Sequence, residues 1–97
     1  MKRIEISPET HKQLKKIAKE HNTSIYYTTE KIFRIGHKIF MKHNNSYTLI
    51  RKEFIRTKGI VVSQEIHKFL ENKAIENETT IRNIAETIIQ IGLEQKP

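Results

Sequence analysis

In the opening segment KRIEIS, Arg3 and Glu5 alternate with Ile4 and Ile6. In an extended chain successive side chains point to opposite faces, so an arginine rich in N–H donors and a carboxylate with only acceptors share one side. Other chemistry finds no constellation. The chain has no Cys and no Asp, and its three Gly are isolated, which removes thiolate sites and glycine-rich phosphate loops. Five His (His11, His21, His37, His43 and His67) show neither HExxH spacing nor another recognisable ligand set. His11 and His67 stand one turn before Leu14 and Leu70 and read as partly buried packing residues. No metal, no cofactor and no enzymatic activity is expected.

Charge is the first positive hint. A net charge of +7 on 97 residues favours polyanions, nucleic acid first and an anionic membrane second. Residues 1–56 carry 13 Lys and Arg against 5 Glu, whereas residues 57–97 carry 5 against 6. The attraction lies almost wholly in the first part. The length allows one small domain, or two smaller units that share a core. A hydrophobic fraction of 36% with 7% aromatics and no Trp suits a compact helical protein built on Ile and Leu. Its most apolar stretches, Ile25 to Phe40 and Ile81 to Leu93, are interrupted by charged residues and Thr, so neither a membrane span nor a signal peptide is expected. A soluble protein of the cytoplasm is expected, the host's if a plasmid or virus encodes it.

A repeat organises the chain. Shifted by 56 positions, Ile4 to Gly36 aligns with Ile60 to Gly92 without a gap, and identities include Ile4/Ile60, Ser7/Ser63, His11/His67, Leu14/Leu70, Glu30/Glu86 and Gly36/Gly92. Each copy opens on a short alternating strand, about Lys2 to Ser7 and about Thr57 to Ser63. Ser7 and Ser63 sit where helix caps belong, and Pro8 with Glu9 or Glu65 completes a helix-start signature. A first helix is predicted over about Pro8 to His21 and Gln64 to Asn77. Its apolar face is Thr10, Leu14, Ile17 and Ala18 in one copy and Ile66, Leu70 and Ala74 in the other.

The polar segments HNTS and NETT then break that helix and cap a second, about Ser24 to Met41 and Thr80 to Gln95. Its stripe is Ile25, Thr28, Thr29, Ile32, Ile35, Gly36, Ile39 and Phe40, matched by Ile81, Ile84, Ala85, Ile88, Ile91 and Gly92. The organisation is thus unit 1 over residues 1–41, a linker over 42–56, and unit 2 over 57–97. The His43-Asn44-Asn45-Ser46 cluster reads as a helix stop and turn, and Tyr47 to Arg56 as extended or irregularly helical. A linker of 15 residues spans about 50 Å when extended, enough for the second strand to reach the first.

Strand, Ser-capped helix, Thr/Ser-capped helix is an order that resembles the ribbon-helix-helix family, the MetJ/Arc superfamily, here as two units in tandem. The resemblance covers about residues 2–41 and 57–95, and IEISPETHKQLKKIAKEHNTSI carries it best. Copy two departs by placing Lys73 where copy one has Ile17. The family pairs two strands antiparallel over four helices and inserts the ribbon into the DNA major groove. The resemblance therefore implies a mostly α fold with a two-stranded antiparallel ribbon, built as a pseudo-twofold single-chain unit. The expected partner is double-stranded DNA, and the expected basic unit is a monomer, with further association on DNA allowed.

If Ile4, Ile6, Ile60 and Val62 face the helices, Arg3, Glu5, Thr57, Gly59 and Val61 face outward and form the candidate base-reading set. Arg3 could bind guanine O6 and N7, Glu5 could accept from cytosine N4, and Val61 or Thr57 could meet a thymine methyl. Lys2, Lys58 and Arg56 suit phosphates. The family also uses amides at the start of the second helix to hold a phosphate, which maps onto Thr23, Ser24 and Ile25 and onto Thr79, Thr80 and Ile81. Unlike strands imply a non-palindromic site. The expected role is a transcriptional repressor; the alternatives are a DNA-binding accessory protein of plasmid transfer, partition or a viral genome, and an antitoxin-like module that holds a protein partner through the second unit.

Overall fold

Two five-residue segments with β-branched residues on one face form the strands, β1 (Lys2–Ile6) and β2 (Lys58–Val62). In the computed structural model, which describes residues 1–42, 49–50 and 56–95, each strand is followed by two helices. These are α1 (Pro8–Glu20) and α2 (Ile25–Lys42), then α3 (Gln64–Glu76) and α4 (Ile81–Glu94). The protein is mostly helical, with one short antiparallel sheet. Both strands come from the same chain, and their register sets Lys2 opposite Val62, Arg3 opposite Val61, Ile4 opposite Ile60, Glu5 opposite Gly59 and Ile6 opposite Lys58. Ile4 thus pairs with its own repeat mate.

Two copies of a strand satisfy backbone groups that either would leave unpaired alone. The inner faces close onto the helices: Ile4, Ile6, Ile60 and Val62 are at most 4% exposed. Each strand stops one residue before its serine, because Ser7 and Ser63 are extended in backbone but turn their side chains onto the helix. Ser7 Oγ accepts from the Thr10 N–H and Ser63 Oγ from the Ile66 N–H, both at 3.2 Å. Helices α1 and α3 end on matched left-handed residues, Asn22 (φ 53°) and Glu78 (φ 51°). The N–H groups of Thr23 and Thr79 then fold back onto the carbonyls of Ala18 and Ala74 at 2.9 Å.

The buried stripes of the second helices are wider than their periodicity predicts. Phe33 and its repeat mate Ile89 are buried, and so are Asn83, Glu86 and Thr87. The reason is that α2 and α4 pack most extensively on each other while also meeting the ribbon and the first helices, so neither has a single inner face. Ile35 departs the other way: it is 36% exposed although its mate Ile91 is buried, and Ile17 is only half-buried. The expected turn at His43-Asn44-Asn45-Ser46 lies outside the described residues, as does most of Tyr47 to Arg56. Two linker residues within them are more than a spacer: Leu49 packs against the core, and the Ile50 N–H donates to Thr87 Oγ1 at 3.0 Å.

Lys73, the residue that departs from the first copy, is accommodated by an aromatic cluster. Its ammonium lies 5.9 Å from the centre of the Phe69 ring and 3.3 Å from Glu76 Oε1, with the stem largely covered. Phe69 meets His37 edge-on at 4.4 Å, and His37 stacks on Phe33. Burial first, then the charges of Lys73 and Arg34, push the His37 pKa below its ordinary value of 6.5. The unfolded chain therefore binds the proton more readily, so this contribution to stability is complete above pH 6.5 and is lost as pH falls through the lowered value. The urea midpoint is expected to drop between pH 7.5 and 5.5, and His37→Phe to flatten that slope. An unchanged slope in the variant counts against the assignment. His11, lowered by burial and by Lys58 and Lys15, accounts for part of the slope that remains.

No helix among the described residues is long and apolar enough to cross a membrane. The Cα radius of gyration is 12.4 Å.

Candidate functional site

With the apolar side of the ribbon sealed, its other side is the surface on which the chemistry-bearing residues meet. Strand alternation places Arg3 and Glu5 of β1 beside Gly59 and Val61 of β2. Arg3 and Val61 are exposed, the latter at 42%, while Glu5, Thr57 and Gly59 are half-buried.

The polar members of this set engage one another. Arg3 Nε donates to Glu5 Oε2 at 2.8 Å, and Thr57 Oγ1 donates to Glu5 Oε1 at 2.6 Å. The Thr57 hydrogen bond first, and then that of Arg3, hold the Glu5 carboxyl below the usual carboxylate range; burial opposes them, and the charges of Arg3 and Arg82 add smaller support. The Arg3 guanidinium reaches across the ribbon over Gly59: a β-carbon at position 59 would stand only 2.6 Å from Arg3 Nη2. Glycine is what leaves room for it. The surface is therefore uneven, with charged and hydroxyl groups towards Glu5 and Thr57 and apolar Met1 and Val61 towards the other end.

Around the ribbon, Lys2, Lys58 and Arg56 are all exposed. Arg82, in the first turn of α4, lies outside the candidate set from the sequence, yet its charge acts on Glu5. A cation in a helix's first turn opposes the helix dipole, and that mismatch is the signal that could have singled it out. The starts of α2 and α4 are capped as expected. Ser24 Oγ accepts from the Tyr27 N–H and Thr80 Oγ1 from the Asn83 N–H, both at 3.1 Å. Of the six residues expected to offer amides there, Thr23 and Thr79 already donate theirs to Ala18 and Ala74. That narrows the amide donors to Ser24 and Ile25 at α2 and to Thr80 and Ile81 at α4, where the first turn of a helix has no carbonyl partners of its own.

Away from the ribbon, Ile17, His21, Tyr27, Lys31 and Ile35 line an open groove of about 470 Å³. Tyr27 is 68% exposed there. The described residues contain no group of three or more His, Cys, Asp or Glu placed to hold a metal ion. Comparisons of the chain with protein families, with curated proteins and with solved structures find no match.

Proposed function

We propose that the protein is a tandem ribbon-helix-helix DNA-binding protein that lays its β-ribbon in the major groove of double-stranded DNA and acts as a transcriptional repressor. One observation carries this: a two-stranded ribbon closed by helices on its apolar side presents an open side with exposed Arg3 and Val61, on a chain of net charge +7. An antiparallel ribbon fits the major groove, where each base pair offers a distinct pattern of donors, acceptors and methyl groups. The pairing of Ile4 with Ile60 supports a pseudo-twofold arrangement of two units around that point. It also supports a monomer as the basic DNA-binding unit, since one chain provides both strands.

Random-site selection on DNA followed by footprinting tests the proposal. The expected site is non-palindromic, because Arg3 and Glu5 occupy repeat positions held by Gly59 and Val61 in the other strand. Arg3→Ala should relax preference at one base pair. Lys2→Ala or Lys58→Ala should weaken binding to all sequences alike and lower the salt slope by about 1. Equal contact with both halves of a perfect palindrome would overturn the asymmetric site, and a selection that yields no site would overturn the proposal.

A second class has one observation in its favour, the apolar groove beside Tyr27 and Ile35. It lies mainly against the first unit, unlike the partner surface expected on the second. Recovery of a stoichiometric protein after nuclease treatment, without a selected DNA site, would favour an antitoxin-like module instead. A role in plasmid transfer, partition or viral genome maintenance shares the DNA chemistry and differs in where the selected site lies.

A further inference from the structure

We infer that Glu5 is a positioning residue that holds the Arg3 guanidinium on the ribbon, so that one guanine is recognised by the arginine's terminal nitrogens and Glu5 reads no base. The inference rests on the proposed DNA reading and deepens it.

Both Glu5 oxygens are engaged, Oε2 by Arg3 Nε and Oε1 by the Thr57 hydroxyl. A carboxylate so occupied is a poor acceptor for cytosine N4 unless one of those bonds breaks. The arginine, by contrast, spends only its Nε, leaving the terminal nitrogens as donors for guanine O6 and N7. An exposed ion pair adds little stability, so the value of this one lies in orientation. The third part is Gly59, directly opposite Glu5, whose missing side chain seats the guanidinium. The ribbon has no second such clamp: the repeat positions of Arg3, Glu5 and Thr57 are Gly59, Val61 and Met1. The protein should therefore demand one guanine strongly, in one half of its site.

The test measures the binding of the full chain to its selected site and to every single-base variant of that site. Arg3→Ala should cost about tenfold to hundredfold in discrimination at one guanine, the worth of a good bidentate contact. Glu5→Ala should flatten preference at that same base pair by about threefold or more, adding nothing to Arg3→Ala in the double variant. Loss of a negative charge should at the same time tighten its binding to non-specific DNA. Gly59→Ala removes no polar group and should blunt the same base pair while melting like the wild type. Without DNA, exchange of the Arg3 Nε–H followed by NMR should quicken in Glu5→Ala and Gly59→Ala. If Glu5→Ala instead flattens a different base pair and leaves the guanine preference intact, Glu5 is itself a reader and the inference fails while the DNA reading stands. Unchanged Nε–H exchange overturns the clamp independently of DNA. A selection without a site overturns the DNA reading and the guanine recognition that depends on it.

Discussion

Gly36→Ala should lower the melting temperature by roughly 15 °C or prevent folding, although alanine is the better helix former by about 1 kcal/mol. The sign is reversed by the crossing of α2 and α4. A β-carbon at position 36 would overlap the Ile88 carbonyl oxygen and stand 2.9 Å from the Ile88 carbonyl carbon and 3.0 Å from Gly92 N. One at position 92 would overlap the Ile32 carbonyl oxygen and stand 2.9 Å from Ile32 Cγ2. Because the obstacle is largely backbone, no rotamer change relieves it, and the helices must separate. Overpacking of this kind costs about 3 kcal/mol or more, a large part of the roughly 5–15 kcal/mol that holds a domain of this size together. Gly92→Ala should behave alike and the double variant should be unfolded. Thermal melts followed by circular dichroism check this; a melting temperature equal to or above the wild type in either single variant would mean the helices are not in backbone contact.

Glu86→Ala is expected to cost about 3 kcal/mol, and its repeat mate Glu30→Ala much less. Glu86 is only 4% exposed and reaches from α4 to the start of α1. Its Oε1 accepts from the Ser7 N–H at 2.6 Å, its Oε2 from the Thr10 hydroxyl at 2.8 Å, and Gln90 Nε2 also donates to that hydroxyl at 2.8 Å. Removing the carboxyl group leaves a buried N–H and a buried hydroxyl without an acceptor, which costs more than the net worth of the bonds themselves. At Thr10's repeat position stands Ile66, which has no hydroxyl to donate. Glu30 accordingly pairs only with exposed Arg34, at 3.3 Å, and its Oε1 has no hydrogen-bond partner among the described residues. Urea denaturation of both variants measures the difference. Equal losses would show that the bond from α4 to α1 has no special role in joining the two repeats.

The elements were legible because their causes are local. Period-two alternation at Ile4 and Ile6, the serine caps and the three-and-four spacing of Leu14, Ile17 and Ala18 each depend on residues within a turn or two. Strand faces followed from parity once the isoleucines were assigned inward, and both strands obey it. Burial of the second helices was legible only in part, since Phe33, Ile89 and Glu86 are covered by elements from distant parts of the chain. Arg82 is illegible for the same reason: its effect on Glu5 exists only once α4 is folded beside the ribbon.

The sequence by itself determined where the chain turns helical or extended, which strand face is apolar, and that one unit is written twice, because propensity, capping and periodicity act over a few residues. Tertiary structure alone decided how the polar residues are used. Whether the second Glu5 oxygen is open or occupied depends on Thr57, 52 residues away, and whether Glu86 is a surface charge or a cap depends on Ser7, 79 residues away. Hydrogen bonds and steric overlap act over a few ångströms of space, and only the fold brings those residues that close.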